Sequence, residues 1–228
     1  MEKIQTNTTL IIPALNEEGC IGQTIKEIPR GCVDEVIVVD GYSADNTTTE
    51  AQEAMRTTGQ YGRVINRTKE GFGVALCEGA EAAQGNILIF MDADGSQNPA
   101  DLLRLLEKYE ENTVVMASRY ASGGRSDDDT FVRWFGNWLF TKFTNLIHGI
   151  HTTDSLYFFL AISKKNFQKL NLRLEDYRIC IEFLVKAKRN KLKIVEIPAI
   201  ERPRLAGESK VNAFRDGLKI LRAILSKY

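Results

Sequence analysis

The amino-acid sequence predicts an α/β protein with a mostly parallel central sheet covered by helices on both faces. Over its 228 residues, short unbroken runs of apolar residues recur, as at 36–39 and 87–91. Such runs are typical of strands that are buried on both faces. In the first half of the chain each run is followed by a stretch with helical spacing, which is the pattern of parallel strands joined by crossover helices. Ligands of such sheets bind at the carboxyl ends of the strands.

The first half of the chain is predicted to alternate strands and helices. Strands are expected at 8–15, 34–40, 62–67, 86–92 and 113–119. Helices are expected between them at 21–28, 45–56, 74–83 and 99–109. Asp45 or Ser43 lies where the second helix needs an N-cap, and Pro99 stands in the first turn of the fourth. The third helix is rich in alanine, a strong helix former.

The second half is less regular and begins with a polar loop at 123–130. Helices, the first of them rich in aromatic residues, are expected at 131–150, 179–188 and 212–228. Strands are expected at 156–162 and 193–200. The last helix is apolar on one side and basic on the other. Because the chain has no internal repeat or linker, we expect a single domain over residues 1–228.

Composition and charge argue against several classes of protein. The 30 lysines and arginines balance 30 aspartates and glutamates, so nothing indicates nucleic-acid binding. The N-terminus lacks the basic start and long apolar stretch of a signal peptide, and no apolar run is long enough to span a bilayer. The widely spaced Cys20, Cys32, Cys77 and Cys180 are expected to be free thiols rather than a disulfide framework or a zinc site. We therefore expect a cytoplasmic protein.

Two carboxylates, Asp92 and Asp94, follow the apolar run at 87–91. Their mutual repulsion at a buried strand end is costly unless a cation lies between them. Carboxylate oxygens suit Mg²⁺ or Mn²⁺, which usually also takes phosphate oxygens and water. A capped strand end with solvated carboxylates explains the position equally well.

Other polar side chains also follow the ends of predicted strands. Asn16 and Glu17 come after the first strand, and Asp40 ends the second. Because the carboxyl ends of parallel strands meet at one edge of a sheet, we expect these side chains to lie near Asp92 and Asp94. Asp40 could accept a hydrogen bond from a nucleotide base or a ribose hydroxyl, or it could belong to the strand-to-helix turn.

The motifs of several common enzyme classes are missing. Gly71 and Gly73 precede a helix, but they do not form the glycine-rich fingerprint that follows the first strand of dinucleotide-binding folds. The sequence also has no phosphate-binding loop with a motif lysine. His148 and His151 are the only 2 histidines, which argues against a serine–histidine–aspartate site and against a histidine-rich metal site.

Several further motifs extend together over nearly the whole chain: IIPALNEE, VIVVDGYSADNT, GFGVALCEGAEAAQG, ILIFMDADGSQNP, ASRY and RLAGESKV. In order and spacing they resemble those of family-2 glycosyltransferases of the GT-A (Rossmann-like) fold. The Asp-Ala-Asp block with the later Arg-x-x-Gly-x-Ser-Lys is most similar to the dolichyl- or polyprenyl-phosphate mannosyltransferase and glucosyltransferase group. The resemblance favours a metal site at Asp92 and Asp94 over solvated carboxylates.

The resemblance also implies roles for particular residues. Those expected to bind the nucleotide sugar are Pro13, Ala14, Asn16, Glu17, Asp40, Asp92, Ala93, Asp94, Arg119, Arg204 and Lys210. Those expected to bind Mg²⁺ or Mn²⁺ are Asp92, Asp94 and Ser96, the last at a position where relatives often have glutamine. Those expected to act in catalysis are Asp92, Asp94, Arg119, near the reacting phosphates, and Arg133, on the acceptor phosphate. Residues 1–120 would form the nucleotide-sugar-binding half, and residues 121–228 the acceptor-binding half.

The implied function is the inverting transfer of a hexose, mannose or glucose, from a GDP- or UDP-sugar to a polyprenyl or dolichyl phosphate. A phosphate monoester has a second pKa of about 6, so it is already largely a dianion near neutral pH and needs no general base. A polysaccharide or soluble sugar acceptor would need one, for which Asp127, Asp128, Asp129 and Asp154 are candidates. A non-catalytic nucleotide-binding subunit is a further alternative. The sequence identifies neither the base, the sugar nor the oligomeric state.

Two features bear on the acceptor. The aromatic residues at 131–150, with Arg133 and Lys142, suit a helix at a membrane surface, although a core helix or a dimer surface fits the same pattern. We expect peripheral contact with the cytoplasmic face of a membrane. Relatives commonly have serine and glycine where this chain has Tyr157 and Phe158, so we expect a reshaped acceptor cavity.

Overall fold

The computed structural model describes residues 7–206, 213–226 and 228. Its strands are β1 (Thr8–Ala14), β2 (Glu35–Asp40), β3 (Gly62–Asn66), β4 (Ile87–Phe90), β5 (Thr113–Ser118), β6 (Arg125–Ser126), β7 (Leu160–Ser163), β8 (Lys193–Pro198) and β9 (Ile200–Glu201). Its helices are α1 (Ile21–Lys26), α2 (Thr47–Thr58), α3 (Phe72–Ala82), α4 (Asp101–Lys108), α5 (Phe131–His148), α6 (Lys164–Leu170), α7 (Ile179–Arg189) and α8 (Ala213–Ile224).

Within the described residues, one sheet of seven strands has the order β3-β2-β1-β4-β7-β5-β8. All neighbouring strands are parallel except β7, which runs antiparallel to both β4 and β5. A separate parallel pair, β6 and β9, lies outside this sheet. The mostly parallel sheet predicted from the apolar runs is confirmed, and the antiparallel insertion of β7 joins the second half of the chain to the same sheet.

Both faces of the sheet are buried under helices. In β1, Leu10 packs with side chains of α1, α2 and α4, whereas its neighbour Ile11 packs on the other face with α3 and α7. Successive side chains of a strand point to opposite faces, so an unbroken apolar run is what a doubly covered strand requires.

Helix α3 approaches the sheet closely because it presents glycine and alanine there. A Cβ atom added to Gly79 would lie 2.5 Å from Cγ2 of Ile11 and 3.0 Å from Cγ2 of Val39. Any larger residue at this position would push the helix away from β1 and β2. The close approach holds α3 against β1 and β2, whose carboxyl ends are followed by polar residues.

The structure corrects several local predictions. The strand expected at 156–162 begins only at Leu160, which pairs with Phe90, the last residue of β4. The N-cap of α2 is Asn46, and Asp45 instead accepts a hydrogen bond from the backbone N–H of Thr47 at 3.0 Å. Helix α6 and the short pair β6–β9 were not predicted, since two-residue strands carry no periodicity.

The structure describes only part of the carboxyl-terminal region of the chain. Helix α8 is present as predicted, whereas Lys210 lies outside the described residues. None of the helices in the described ranges is long and apolar enough to cross a lipid bilayer.

Candidate active site

A cavity of about 570 Å³ opens at the carboxyl ends of β1 and β4. Its wall at this edge comes from the segments just past those strands, and its opposite wall comes from α5, α8 and the chain after β9. Among the residues that border it are Pro13, Ala14, Glu17, Arg67, Asp92, Ala93, Asp94, Arg119, Arg133, Tyr157, Glu201 and Arg204. The cavity therefore brings together most of the residues predicted for the nucleotide-sugar site and Arg133, 14 residues beyond Arg119 in the chain.

The two carboxylates are held in place by the turn that follows β4. The side-chain amide of Gln97 accepts from the backbone N–H of Asp92 and donates to its Oδ2, both at 2.9 Å. The backbone N–H of Ser96 donates to Oδ1 of Asp94 at 2.9 Å. Burial, and then the neighbouring carboxylate of Asp94, raise the pKa of Asp92 to about 8. A nearby cation would therefore stabilise the ionised form of both carboxylates. Gln97 was not predicted from the sequence.

A guanidinium lies beside this pair in the structure. An Nη atom of Arg204 is 2.9 Å from Oδ2 of Asp94. Over the described ranges, no group of three or more His, Cys, Asp and Glu side chains is placed to hold a metal ion. Two hard oxygen donors in one turn nevertheless fit Mg²⁺, which is typically held by one or two carboxylates together with waters and substrate phosphates. Asp92 and Asp94 therefore fit a divalent cation whose remaining ligands include phosphate oxygens of a bound substrate.

The chain segment that carries Arg204 is anchored to the same turn. The backbone N–H of Arg202 donates to the carbonyl of Ser96 at 2.8 Å, and that of Leu205 donates to the carbonyl of Asp94 at 3.1 Å. The guanidinium of Arg202 forms an ion pair with Glu27 at 2.9 Å. Arg204 is thus positioned by its neighbours on both sides.

Asn16 and Asp40, two residues predicted for the nucleotide pocket, do not border the cavity. The carboxylate of Asp40 accepts from the backbone N–H of Ser43 at 3.0 Å and from its hydroxyl at 2.6 Å. Asn16 is exposed, and its Oδ1 accepts from the backbone N–H of Ala44 at 2.8 Å. Both side chains bond to the turn between β2 and α2, and for Asp40 this was the alternative interpretation.

Arg67, which was not predicted, borders the cavity one residue past β3. It is buried, and one Nη donates to the carbonyl of Gly41 at 3.2 Å. In the part of the chain that the structure describes, no carboxylate lies within ion-pair distance of it. The signal in the sequence was its place at the end of a parallel strand, the same argument that selected Asp40 and Asp92.

Arg119 lies where three distant segments meet. Its Nε donates to Oδ2 of Asp154 at 2.7 Å, and an Nη lies 3.2 Å from Oε2 of Glu201. Burial alone would lower the pKa of the Arg119 guanidinium, but the two carboxylates outweigh it and raise the pKa well above its usual value. Arg119 is thus a fixed cation at the cavity wall whose charge is largely balanced by protein carboxylates.

The first turn of α5 forms the other end of the cavity. Thr130 caps this helix by accepting from the backbone N–H of Arg133 at 3.3 Å. The guanidinium of Arg133 donates to Asp128 at 3.0 Å and stays half-exposed. Around Arg133 the wall is mostly apolar, with Val132, Phe135, Phe140, Leu156 and Ile220, and Asn137 is a polar member of it.

The two residues that depart from the pattern of the resembled group point in opposite directions. Tyr157 borders the cavity, whereas Phe158 packs in the core against Phe90 and Phe183. Phe158 therefore does not line the cavity, and of the two residues only Tyr157 contributes to its wall. The alternation of side chains in this extended segment explains the difference.

Three buried side-chain atoms in the described residues have no hydrogen-bond partner: Nε of Arg67, the hydroxyl of Tyr157 and Nε of Arg204. All three residues border the same cavity. An unsatisfied buried polar group costs about 1–3 kcal/mol, and such groups are rare in folded proteins. Their concentration at one cavity indicates a site that is completed by a polar ligand.

Comparison with known proteins agrees with this geometry. A model of the family "Glycosyl transferase family 2" matches residues 9–170. The chain is 30% identical over 215 residues to the dolichol-phosphate mannosyltransferase of Pyrococcus furiosus, covering 89% of this chain and 58% of that protein. It is 30% identical over 208 residues to the UDP-N-acetylglucosamine–dolichyl-phosphate N-acetylglucosaminyltransferase of Methanococcus voltae, covering 83% of both chains.

Among solved structures, the fold is similar to that of glucosyl-3-phosphoglycerate synthase from Mycobacterium tuberculosis in complex with Mn²⁺, UDP-glucose and glycerol 3-phosphate. The TM-score is 0.76 at 21% identity, over 97% of this chain and 79% of that one. The GT-A fold implied by the sequence motifs is thereby confirmed. The chain belongs to glycosyl transferase family 2, and it is a glycosyltransferase.

Proposed function

We propose that this protein is a metal-dependent, inverting hexosyltransferase that moves mannose or glucose from a GDP- or UDP-sugar to a polyprenyl or dolichyl phosphate. One observation carries the proposal: a single cavity joins the Asp92–Asp94 pair to Arg133 and an apolar wall. The first end suits a nucleoside diphosphate with its cation, and the second suits a phosphate on an apolar chain. The names of the two relatives, both of which act on dolichyl phosphate, support this acceptor.

Residues 1–120 would bind the donor and residues 121–228 the acceptor. At the donor end, Asp92, Asp94 and Ser96 would hold Mg²⁺ or Mn²⁺, in a turn shaped by Gln97 and by the backbone N–H of Ser96. Arg204, which lies beside Asp94, would contact the diphosphate. The resemblance assigns the same role to Lys210. Arg67 would donate to an oxygen of the nucleotide, because its buried Nε has no partner in the described structure. The structure of the similar synthase with Mn²⁺ and UDP-glucose supports the choice of metal and donor class.

The protein's own side chains would lower the barrier mainly by electrostatics. A bound divalent cation would neutralise charge on the departing diphosphate. Arg119, fixed by Asp154 and Glu201, would hold its charge near the reacting phosphates without reorganising. Arg133 would bind the acceptor phosphate, whose dianion attacks the anomeric carbon directly from the opposite face. No general base is then required, and the product has inverted stereochemistry.

A soluble acceptor is the second candidate function. Asp128 and Asp129 border the cavity, so either could act as the base that an alcohol acceptor needs. Asp154 is less suited, because both of its carboxylate oxygens accept from Arg119. The glycerol 3-phosphate bound by the similar synthase is a phosphate-bearing small molecule, which keeps this alternative open to test.

We further propose that α5 contacts the cytoplasmic face of a membrane. Its exposed side chains include Phe131, Trp134, Phe135, Trp138, Leu146 and Ile147. Val132 and Phe135 belong both to this exposed face and to the cavity wall, so an apolar chain leaving the cavity would run onto it. Tryptophan and phenylalanine beside basic residues suit the interface of a bilayer. All four cysteines lie in the described residues and are free thiols, which agrees with a reducing compartment.

Two experiments test the proposed function. Thermal unfolding with GDP, UDP and other nucleotides, each with Mn²⁺, should show a shift for one nucleotide, because a ligand of the folded state raises its apparent stability. The protein is then incubated with Mn²⁺, the matching radiolabelled sugar nucleotides and polyprenyl phosphate. Label should become extractable into organic solvent. Water-soluble product would instead support the second candidate, and binding without turnover on any acceptor would support a non-catalytic subunit.

A further inference from the structure

Tyr157 is a buried residue of the cavity wall whose hydroxyl has no hydrogen-bond partner in the described structure. The residue is 4% exposed, and its ring packs edge-on against Phe159. The guanidinium of Arg119 lies 4.7 Å from the centre of the ring. These contacts fix the ring from two sides, yet they leave the hydroxyl with nothing to bond to. A fold gains nothing from burying such a group, since phenylalanine would fill the same space.

The surroundings of Tyr157 connect it to the acceptor end of the cavity. Arg119 also lies 5.2 Å from the ring centre of Tyr120. The hydroxyl of Tyr120 in turn donates a hydrogen bond to the carboxylate of Asp129. It accepts another from the side-chain amide of Asn137, on α5, at 3.1 Å. A continuous set of contacts thus runs from Tyr157 to the helix that carries Arg133. Arg67, at the donor end, takes no part in it.

Tyr157 is a hydrogen-bond donor under all ordinary conditions. Burial, followed by the charge of Glu201, raises the pKa of the Tyr157 hydroxyl well above its usual value. A neutral O–H beside an arginine is suited to an anionic oxygen, and such hydrogen bonds are stronger than those between neutral groups.

We propose that Tyr157 determines acceptor specificity by donating a hydrogen bond from its hydroxyl to the phosphate monoester of the acceptor. This inference rests on the proposed function and assigns a residue that distinguishes phosphate-bearing acceptors from neutral ones. A site whose buried donor must be satisfied discriminates strongly against analogues that lack the matching oxygen. The phosphate could belong to a lipid or to a soluble molecule, and the experiment has one arm for each.

The test is the variant Tyr157→Phe, with Tyr61→Phe as the matched control because Tyr61 is 60% exposed. Acceptor and donor KM are measured with a short-chain isoprenyl phosphate and, separately, with glycerol 3-phosphate. For whichever of the two compounds is the acceptor, we expect KM to rise roughly tenfold or more in Tyr157→Phe. This is the loss expected when a hydrogen bond to a charged group is removed. The donor KM should stay unchanged, and Tyr61→Phe should behave as the parent protein.

Thermal unfolding without ligand separates a role in binding from a structural role. Removing an unsatisfied hydroxyl should leave the melting temperature of Tyr157→Phe unchanged or raise it by about 2–4 °C. A lower melting temperature would mean that the hydroxyl bonds to an internal water, and it would overturn the proposal. An unchanged acceptor KM, or a rise in the donor KM alone, would overturn it as well.

Binding distinguishes failure of this inference from failure of the proposed function. If the parent protein transfers no sugar to either acceptor, the proposed function is rejected. Calorimetric titration of the two phosphates into protein loaded with Mn²⁺ and nucleoside diphosphate then replaces the kinetic assay. Affinity that is roughly tenfold weaker in Tyr157→Phe supports the role of Tyr157. Equal affinities, or no binding to the parent protein, overturn it.

Discussion

The donor edge of the sheet and the wall formed by α5 are built on different physical principles, although they face the same cavity. At the donor edge, parallel strands end together, and neighbouring backbone and amide groups hold the side chains just past them, as Gln97 holds Asp92. On α5, large aromatic side chains are exposed, as with Phe131 at 76%, and Arg133 donates to Asp128 of the preceding loop. In the proposed function, the donor would therefore bind to side chains held by the turns at the strand ends, whereas the apolar part of the acceptor would contact exposed side chains of α5.

The largest effect should come from the carboxylate pair. Asp94→Asn removes a proposed metal ligand and the partner of Arg204, so kcat/KM should fall by roughly 10²–10³-fold. The Mn²⁺-dependent thermal shift by nucleotide should vanish with it, while the unliganded protein stays folded. The matched control is Glu110→Gln, since Glu110 lies on the surface in an exposed pair with Lys193. Retention of full activity by Asp94→Asn would remove the metal site from the proposal.

The two ends of the cavity should separate in a pair of arginine variants. Arg67→Met should raise the donor KM, and Arg133→Met should raise the acceptor KM, each by roughly 10–100-fold for a lost hydrogen bond to a charged group. Methionine keeps most of the aliphatic volume, so neither change should unfold the protein. Arg56→Met, on the exposed face of α2, is the control. If both variants raised the same KM, the division into a donor end and an acceptor end would be wrong.

At the sheet edge, the sequence could predict the residues that follow strand ends, but not every one of them. Asp92 and Asp94 follow an apolar run, and the rule about strand ends located them without any structure. The rule failed for Asp40, because local bonds to Ser43 compete for its carboxylate. Arg67 satisfied the rule and was overlooked.

The network around Arg119 had no signal in the sequence. Asp154 and Glu201 lie 35 and 82 residues along the chain from Arg119. Asp154 lies just before β7, which pairs antiparallel with β5, and Glu201 lies just after β8, which pairs parallel with β5. Apolar periodicity identifies a buried strand, but it does not give the neighbours or the direction of that strand.

Helix α3, which packs on the strands of the sheet, should tolerate added volume less well than α5. Gly79→Ala places a Cβ atom 2.5 Å from Ile11, so it should lower the free energy of unfolding by about 1–3 kcal/mol. Gly136→Ala, in α5, meets nothing closer than Phe140 at 4.0 Å. It should raise stability by up to about 1 kcal/mol, because alanine favours a helix more than glycine does. Urea unfolding of both variants measures the difference, and equal losses would show that α5 is packed as tightly as α3.

The smallest effect should be on membrane association, where no single side chain dominates. Trp138 is exposed on α5 and lies outside the cavity wall, so Trp138→Ser removes apolar area without touching the site. Binding of the Trp138→Ser variant to anionic liposomes should be roughly threefold to tenfold weaker than that of the parent protein. This is the loss expected when an aromatic ring that is partly buried in the membrane is removed. Leu103→Ser is the control, because Leu103 is 52% exposed on α4, against 44% for Trp138, and lies outside the proposed contact. Co-sedimentation measures both. If the two variants lose association to the same extent, the aromatic face of α5 is not the membrane contact, and a second copy of the chain becomes the occupant to test by analytical ultracentrifugation.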